Sequence, residues 1–576
     1  MTDKIKQYAS TAIFIILLFG ALFVVLQKQL HFGGVADLPT EVSNLPAYAF
    51  YSFSRMLAAY ILAFIFSIVY GMTAALKRRA DKVMLPILDV LQSVPVLGFF
   101  PAAVFFFVNL MNGSRIGVEM ASVFLIFTSQ AWNMTFGVYE SLTTMPKDVR
   151  DAGNVYRLNG VERFKRLLMP ACTSKLVYNS ILSWAGGWYF LVATEIITIG
   201  SVNLRLPGLG SFLMRTAQRG ETGLTLLGLA VLIFIIVVMD VMLWRPLTVW
   251  SQKFRYEFAA AVVTQRYHRS ILLRLFLRVR SLKPVSRTFH GAFMLFKSPG
   301  ALIAGLTASV TGSIRGNIVF RTARPYGRRF FWTVFAILFA YLIYLAARAL
   351  VSVFSTPIPA QAYQIPGALA ASGLRLLVAY IIALAWTIPV AVKIGHSPRA
   401  ARVLTPVFEI VASVPATAIF PLMAVFIVTY TGSLNLVAVL LVLTGMQWYL
   451  LFNLLAGVTA IPNDMKEVAK IHQLRGWLYW RRVVLPAIFP SIVTGSVTAW
   501  GGGWNALIIA EYFKFQGKTF SVFGIGAFLD KAMFSTGNSQ LIVLALVAMV
   551  GVIAIINRFF WRRLYNEAAR RFTIEY

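Results

Sequence analysis

The sequence is poor in charged residues and contains a single cysteine. Only 13% of its 576 residues are Asp, Glu, Lys or Arg, whereas 59% are hydrophobic. A soluble domain carries about 25% charged residues, so this composition is typical of a chain that lies in lipid. Because Cys172 has no second cysteine to pair with, no disulfide forms within the chain, and folding requires no oxidising compartment.

Acidic residues are also scarce, with 21 Asp and Glu against 53 Lys and Arg and a net charge of +32. Basic residues accumulate in the cytoplasmic loops of membrane proteins, and residues 253–329 alone hold fifteen of them against one acid, Glu257. The excess of positive charge therefore indicates which segments of the chain face the cytoplasm. It does not require a nucleic-acid partner.

Motifs for covalent chemistry are missing. The five histidines are scattered, and no nucleophile arrangement or paired carboxylates stand out, so we assign no catalytic residue and no metal. The phosphate-binding pattern G-x-x-x-x-G-K-[ST] is absent, because Tyr512 occupies the first glycine position before "QGKT" at 516–519. The sequence predicts that the chain is not an enzyme.

Long apolar runs are abundant. Runs long enough to cross a bilayer lie near 11–30, 54–76, 87–110, 119–143, 175–199, 224–245, 330–353, 372–394, 405–430, 433–457, 490–513 and 539–561. No small-residue cleavage site follows the first run, which therefore predicts a spanning helix and not a signal peptide. Placing both termini in the cytoplasm puts the basic stretches on that side, so we predict an all-α polytopic protein of twelve transmembrane helices.

The sequence repeats itself. Arg55 recurs as Arg375 at an offset of 320 residues, and after a four-residue deletion Pro170 recurs as Pro486 at an offset of 316. These matches predict two fused copies in the same orientation, 1–252 and 330–576, joined by a basic cytoplasmic linker, 253–329. The linker is either an amphipathic helix on the anionic inner leaflet or a solvated connection.

Each copy contains one charged segment that cannot span, 147–171 and 463–487, because its charges would cost too much free energy in lipid. Both segments have helical periodicity, with a turn at Gly160 or Gly476 and a new spanning helix near Pro170 or Pro486. The pattern predicts two cytoplasmic helix–turn–helix hooks whose apolar faces dock in a partner protein.

The hooks resemble the EAA loop of ATP-binding-cassette (ABC) importer permeases. "DAG" and "EVA" each begin nineteen positions before the paired prolines, and "SVPVLGFFP", "AWNMTF" and "LPGLG" are similar to the nitrate, sulfonate and taurine branch. The resemblance implies that the hooks are ATPase-docking loops; their matching residues are Asp151, Ala152, Gly153, Gly160, Pro170, Glu467, Val468, Ala469, Gly476 and Pro486.

The resemblance also implies an architecture and a set of partners. The expected fold is two parallel six-helix repeats of the type I ABC importer permease, in a bacterial inner membrane. Two separate ATPase subunits would hold ATP and Mg, a periplasmic or extracellular binding protein would deliver cargo, and the chain itself would bind no cofactor. The implied cargo is a small anion such as nitrate, sulfonate, taurine or bicarbonate.

One departure from the family pattern concerns the docking turn. The family usually has glycine six positions after its glutamate, where this chain has Arg157 and Gln473. Because Gly160 and Gly476 follow three residues later, we expect the turn to have moved or changed type.

Prolines and carboxylates inside apolar runs are candidates for the pathway or its gate. Pro95, Pro101, Pro415 and Pro421 predict broken helices that either line the pathway or are packing kinks. Glu195 and Glu511 lie near the outer end of the fifth span. They are expected either to pair with a cation, Arg205 for the first and Lys514 or Lys518 for the second, or to contact cargo. The tryptophans Trp184, Trp188, Trp500 and Trp504 either face cargo or, as is commoner, belong to an interface belt.

A second function class stays open. Parallel repeats also occur in secondary transporters driven by an ion gradient. Such a carrier has no use for two matched docking loops, so the hooks discriminate between the two classes.

Overall fold

The structure is a computed structural model, and it describes only part of the chain. The described residues are 40–77, 79–93, 96–98, 100–112, 114–195, 198–199, 202–203, 206–254, 355, 357–420, 423, 432–459, 461–515, 518–532 and 538–572. The predicted spans near 11–30 and 330–353 therefore lie outside the described residues, as does nearly all of the linker.

The first copy is helical. Its α-helices are α1 Leu45–Leu76, α2 Asp81–Ser93, α3 Phe100–Leu110, α4 Arg115–Thr143, α5 Lys147–Val155, α6 Gly160–Arg163, α7 Met169–Glu195, α8 Leu209–Gln218, α9 Thr222–Met239 and α10 Arg245–Ser251. Wider π-helical turns at Phe164–Leu168 and Asp240–Trp244 connect α6 to α7 and α9 to α10.

The second copy follows the same order. Its described α-helices are α11 Ile365–His396, α12 Pro398–Ser413, α13 Leu434–Thr459, α14 Asn463–Ile471, α15 Gly476–Tyr479, α16 Leu485–Ala510, α17 Ile525–Asp530, α18 Ser539–Ile556 and α19 Arg562–Phe572. The π-helical turns recur at Trp480–Val484 and Asn557–Trp561.

The element boundaries repeat in register. Helix α11 begins and ends 320 residues after α1, and α14 and α15 begin and end 316 residues after α5 and α6. Helix α18 follows α9 at an offset of 317. Among these helices the offset changes only between elements, from 320 to 316 and then to 317, so the corresponding insertions and deletions lie outside them.

Short antiparallel hairpins follow the two long helices α7 and α16. Strand β1 (Thr198–Ile199) pairs with β2 (Val202–Asn203), and β3 (Tyr512–Phe515) pairs with β4 (Lys518–Ser521). Lys518 and Thr519 thus lie in a strand of a hairpin, which differs from the strand–loop–helix of a phosphate-binding loop.

Within the described residues, six helical segments are long and apolar enough to cross a membrane. They are Val42–Leu76, Thr222–Thr248, Ala360–His396, Leu434–Thr459, Gly476–Ala510 and Gln540–Tyr565. The chain is therefore a mostly helical, multi-pass membrane protein. The total of twelve spans stays a prediction.

The chain divides into two compact units. One contains residues 1–135, 182–237 and 343–576, and the other contains 136–181 and 238–342, so far as these are described. The core of the first unit is formed by α11, α13 and α16, whose facing residues include Leu376, Met446 and Leu507, each fully buried. Within the second unit, Cys172 is buried and its Sγ lies 3.8 Å from the carbonyl oxygen of Val138.

Candidate functional site

Glu195, at the end of α7, is completely buried and fully hydrogen-bonded. Its carboxylate accepts from the hydroxyl of Ser52 (2.6 Å), from Nη1 of Arg55 (2.7 Å) and from the backbone N–H of Gly210 (2.7 Å). A buried carboxylate is costly unless paired and hydrogen-bonded, and here it has both kinds of partner. The arrangement joins the C-terminal end of α7 to α1 and to the start of α8.

The second copy contains the same arrangement around Glu511. Its carboxylate accepts from the hydroxyl of Ser372 (2.6 Å), from Nη1 of Arg375 (2.7 Å) and from the backbone N–H of Gly526 (2.8 Å). We call the two sets the Glu195 cluster and the Glu511 cluster. In each, the serine hydroxyl also accepts a backbone N–H, from Leu209 or Ile525.

The clusters differ at one position. Arg55 also donates to both carboxylate oxygens of Glu119, at 2.8 Å from Nη2 to Oε1, whereas Arg375 donates from Nε to the amide oxygen of Asn435 at 2.9 Å. The arginine of the Glu195 cluster therefore faces two carboxylates, and the arginine of the Glu511 cluster faces one. The side chain of Arg375 is also more exposed, 11% against 5% for Arg55.

Glycine is required beside each buried carboxylate. A Cβ atom at Gly208 or Gly524 would overlap the carboxylate of Glu195 or Glu511, and one at Gly210 or Gly526 would meet the backbone of the long helix. The "LPGLG" stretch at 206–210 is thus a close-packed turn in which the backbone approaches the acid.

The cationic partners differ from those expected on sequence proximity. Glu195 pairs with Arg55, 140 residues earlier, and Glu511 pairs with Arg375, 136 residues earlier. Arg205 and the side chains of Lys514 and Lys518 lie outside the described residues. The signal that sequence reasoning missed was available in the repeat, because Ser52, Arg55 and Glu195 all recur in register.

The two hooks have the predicted helix–turn–helix form. In the first, Asp151 and Ala152 lie in α5, buried Gly153 packs beside Leu167, and Gly160 begins α6. Asn159 caps α6 by accepting from the backbone N–H of Glu162 at 2.9 Å. Pro170 is the second residue of α7, where a missing N–H costs little.

The second hook matches the first. Exposed Glu467 and Val468 lie in α14 beside buried Ala469, Gly476 begins α15, and Pro486 is the second residue of α16. Nε2 of His396 and the hydroxyl of Tyr479 form a hydrogen bond at 2.9 Å, and Nδ1 of the same ring donates to the carbonyl oxygen of Val392. This bond ties the second hook to the end of α11.

The expected shift of the docking turn is wrong. Arg157 and Gln473 have φ values of 47° and 50°, so the left-handed residue sits where the family has glycine. The backbone N–H of Leu474 bonds to the carbonyl oxygen of Ala469 at 2.9 Å, and that of Leu158 bonds to Gly153 at 3.3 Å, as in a Schellman helix end. The turn has kept its place, and non-glycine residues bear its strain, although in the second hook Gly476 is left-handed as well, with φ 54°.

Apolar side chains on both hooks are exposed. Val155 and Tyr156 are each 77% exposed, and Ile471 and Trp477 are 76% and 71% exposed. Val161 and Leu478 extend these surfaces. Contiguous exposed apolar residues on a charged loop mark an interaction surface.

The third span of each copy is broken, as its prolines predict. Helix α2 ends at Ser93 before a short 3₁₀ turn, Val96–Gly98, and α12 ends at Ser413, where Val414 is extended and Pro415 is buried. Pro101 is the second residue of α3, whereas Pro95 and Pro421 lie outside the described residues.

The tryptophans do not form the expected interface belt. Trp184, Trp188 and Trp504 are buried in the protein, and the rings of Trp184 and Trp500 pack edge-on against Tyr60 and Tyr380 at 5.5 and 5.8 Å between centroids. These rings fill the core of their own copy. No group of three His, Cys, Asp or Glu side chains in the described part of the chain is placed to hold a metal ion.

With this geometry in view, comparison with known proteins identifies the class. The family described as "Binding-protein-dependent transport system inner membrane component" matches residues 43–244 and 383–567, which is more than half of the chain, with one match in each copy. The chain belongs to this family. It is a multi-pass inner-membrane protein of the ABC importer permease type, in fused tandem form, and its family consists of transport components and not enzymes.

Individual relatives carry specific names. The nitrate import permease protein NrtB of Leptolyngbya laminosa is 32% identical over 186 residues, which is 32% of this chain and 63% of that protein. The taurine transport system permease protein TauC of Escherichia coli is 29% identical over 33% of this chain and 68% of its own length. The bicarbonate transport system permease protein CmpB of Synechococcus elongatus is 29% identical over 33% and 64%, respectively. For the nitrate and bicarbonate proteins, the chain covers less than two thirds of the relative's length.

Proposed function

We propose that the chain forms the translocation pathway of an ATP-driven importer and couples to separate ATPase subunits through its two hooks. The observation that carries the proposal is the pair of exposed apolar surfaces, on α5–α6 and on α14–α15, which recur at one offset. A surface that exposes Ile471 and Trp477 on a charged loop is suited to a hydrophobic cleft in a partner.

The coupling is mechanical. The chain itself carries no phosphate-binding loop, so ATP and Mg are held by two partner subunits, one on each hook. Closure of the ATPases on ATP moves the hooks and shifts the permease between two conformations, which requires a difference in interaction free energy between them. A substrate-binding protein delivers cargo from the other side of the membrane.

The cargo is a small anion. The support is the likeness to permeases named for nitrate, taurine and bicarbonate, all of which are small anions or zwitterions with oxyanion groups. The broken helices at Val96 and Pro415 line the pathway, and Glu195 and Glu511 hold the outer ends of the long helices at its gate.

The topology proposed with this function has twelve spans and both termini in the cytoplasm. Residues 1–252 form the first permease repeat, 253–329 a basic cytoplasmic linker, and 330–576 the second repeat. The linker is the part richest in Lys and Arg, which fits the cytoplasmic side.

The test is reconstitution with and without the ATPase. Proteoliposomes that contain the permease, its ATPase and its binding protein are expected to take up nitrate, taurine or bicarbonate only when ATP is supplied. The variants Ile471→Glu/Trp477→Glu and Val155→Glu/Val161→Glu should each lose ATPase in co-purification, because a buried unpaired carboxylate disrupts an apolar contact.

A matched control is Tyr363→Glu, which changes a side chain that is 82% exposed at the other end of α11. Helix α11 has 32 residues, so Tyr363 lies about 48 Å from the hook that His396 contacts. This variant should retain the ATPase. Uptake by the permease alone, driven by an ion gradient, would instead favour the secondary-transporter alternative.

A further inference from the structure

The helix break in the third span of each copy contacts the long helix of the other copy, and both contacts occur at the same repeat position of the long helix. The backbone N–H of Val96 donates to Oδ1 of Asn505 in α16 at 2.7 Å, and the hydroxyl of Thr417 donates to the carbonyl oxygen of Tyr189 in α7 at 3.1 Å. Tyr189 and Asn505 occupy the same position of the repeat, at an offset of 316. The breaks and the long helices therefore meet where the two copies face each other.

A tyrosine hydroxyl at this level has no partner. The hydroxyl oxygen of Tyr189 is buried and forms no hydrogen bond with any described residue. The Tyr449 hydroxyl, from α13 of the other copy, lies 3.8 Å from the position of a Cβ on Gly186, one turn before Tyr189. Because Gly186 and Tyr189 are three residues apart on one helix, the Tyr449 hydroxyl lies against the face of α7 that carries Tyr189.

The space for Tyr449 depends on glycine. A Cβ on Gly502 would come within 2.7 Å of its ring. A buried hydroxyl left unpaired is destabilising, and phenylalanine would fill the same space without that cost. The Tyr189 hydroxyl is therefore not explained by packing.

Tyrosine and asparagine exchange places between the copies. Tyr449 stands where the first copy has Asn133, and Tyr189 stands where the second copy has Asn505. The exchange brings tyrosine together with tyrosine across the two copies, while Asn505 is occupied in holding the helix break at Val96. Only one side of the two-copy arrangement thus carries the hydroxyl pair.

We propose that the Tyr189 and Tyr449 hydroxyls form a transient subsite for the small anion in transit, and this rests on the proposed function. Two neutral O–H donors can each give a hydrogen bond to an oxygen of a nitrate, sulfonate or bicarbonate group. Binding by neutral donors is weak enough for release, which a conducting pathway requires. Thr417 and Asn505 act as positioning residues that hold the broken helices beside the subsite.

The test uses the complete transporter, with permease, ATPase and binding protein in proteoliposomes, and nitrate, taurine and bicarbonate as probes. The ratio of anion taken up to ATP hydrolysed should fall in Tyr189→Phe, in Tyr449→Phe and in the double variant. The fall should be about tenfold in the double variant, because hydrogen bonds to a charged acceptor are lost. ATPase binding and ATP hydrolysis should persist. Thermal stability should be unchanged or higher, because an unpaired polar group is removed.

The control is Tyr380→Phe, which removes a hydroxyl bonded to Ser496 at 2.7 Å. It should lower stability and leave the anion-to-ATP ratio unchanged. Wild-type uptake with an unchanged ratio in the double variant would overturn the subsite alone. If the wild-type transporter took up none of the three anions, the proposed function and the subsite would both be overturned.

Discussion

Glu195 and Glu511 accept hydrogen bonds from equivalent donors in the two copies, a serine, an arginine and a glycine N–H. The positive charges of the two arginines are not equally compensated. Arg55 keeps a second carboxylate, Glu119, when the first is neutralised, whereas the other described partners of Arg375 are neutral, the amide of Asn435 and the carbonyl oxygen of Phe523. Removing one partner of a buried pair leaves an uncompensated charge, and the cost is commonly about 3–5 kcal/mol. The two acids, although equivalent in sequence, should therefore respond differently to mutation.

We expect Glu511→Gln to destabilise the protein by about 3 kcal/mol and Glu195→Gln by about 1 kcal/mol or less, because only the first leaves an arginine without a carboxylate. Thermal unfolding of the purified variants in one detergent measures the difference. Asn435→Glu in the Glu511→Gln background should recover at least half of the loss. Equal losses for the two single variants would show that Glu119 does not compensate Arg55.

At the scale of elements, the hook turn is defined by its backbone and tolerates several side chains. A left-handed conformation costs a residue with a Cβ roughly 1–2 kcal/mol, so Arg157 and Gln473 keep the turn at a cost that glycine would avoid. The hydrogen bonds at the helix end stabilise the turn by more than the residue preference opposes it.

Gln473→Gly should raise the free energy of local opening of α14 and the turn, measured by amide hydrogen exchange, by about 1 kcal/mol. Gln473→Val should lower this free energy by a similar amount and reduce ATPase binding. Arg475→Gly is the matched control, because Arg475 is extended with φ −129° and gains no relief from glycine. Stronger protection in the control than in Gln473→Gly would contradict a strained turn.

Sequence reasoning located the elements better than their contacts. Apolar runs and prolines predicted the helices and the break in the third span, since helical periodicity and the missing proline N–H are local properties. The partner of Glu195 was not predicted, because Arg55 is adjacent only after α1 and α7 pack. The prediction that the turn had moved toward Gly160 was wrong for a related reason. The backbone conformation of the turn is set by the hydrogen bonds at the helix end and not by the nearest glycine.

At the scale of the whole molecule, the proposed topology can be tested by labelling. Cys172 is the one cysteine and is buried, so Cys172→Ser gives a cysteine-free background. In it, cysteine replaces Arg115, Arg399 or Glu467, each an exposed residue. An impermeant maleimide should label position 115 from outside and positions 399 and 467 only in inverted vesicles.

The measurement is the labelled fraction in right-side-out and inverted vesicles, with the unlabelled Cys172→Ser protein as the background. Labelling of position 467 from outside would place the second hook away from the ATPases and would contradict the proposed coupling. Labelling of all three positions from one side would contradict the alternation of spans on which the twelve-helix topology depends.

By itself, the sequence determined that this chain lies in a membrane, that it is built twice, and that each copy carries a charged hook that cannot enter lipid. These properties depend on composition, periodicity and free energy of transfer, which are readable residue by residue. Only the tertiary structure decided which arginine neutralises each buried acid, where the tryptophans pack, and which hydrogen bonds join the two copies. Such contacts join residues more than a hundred positions apart, and their energies exist only once the helices have packed.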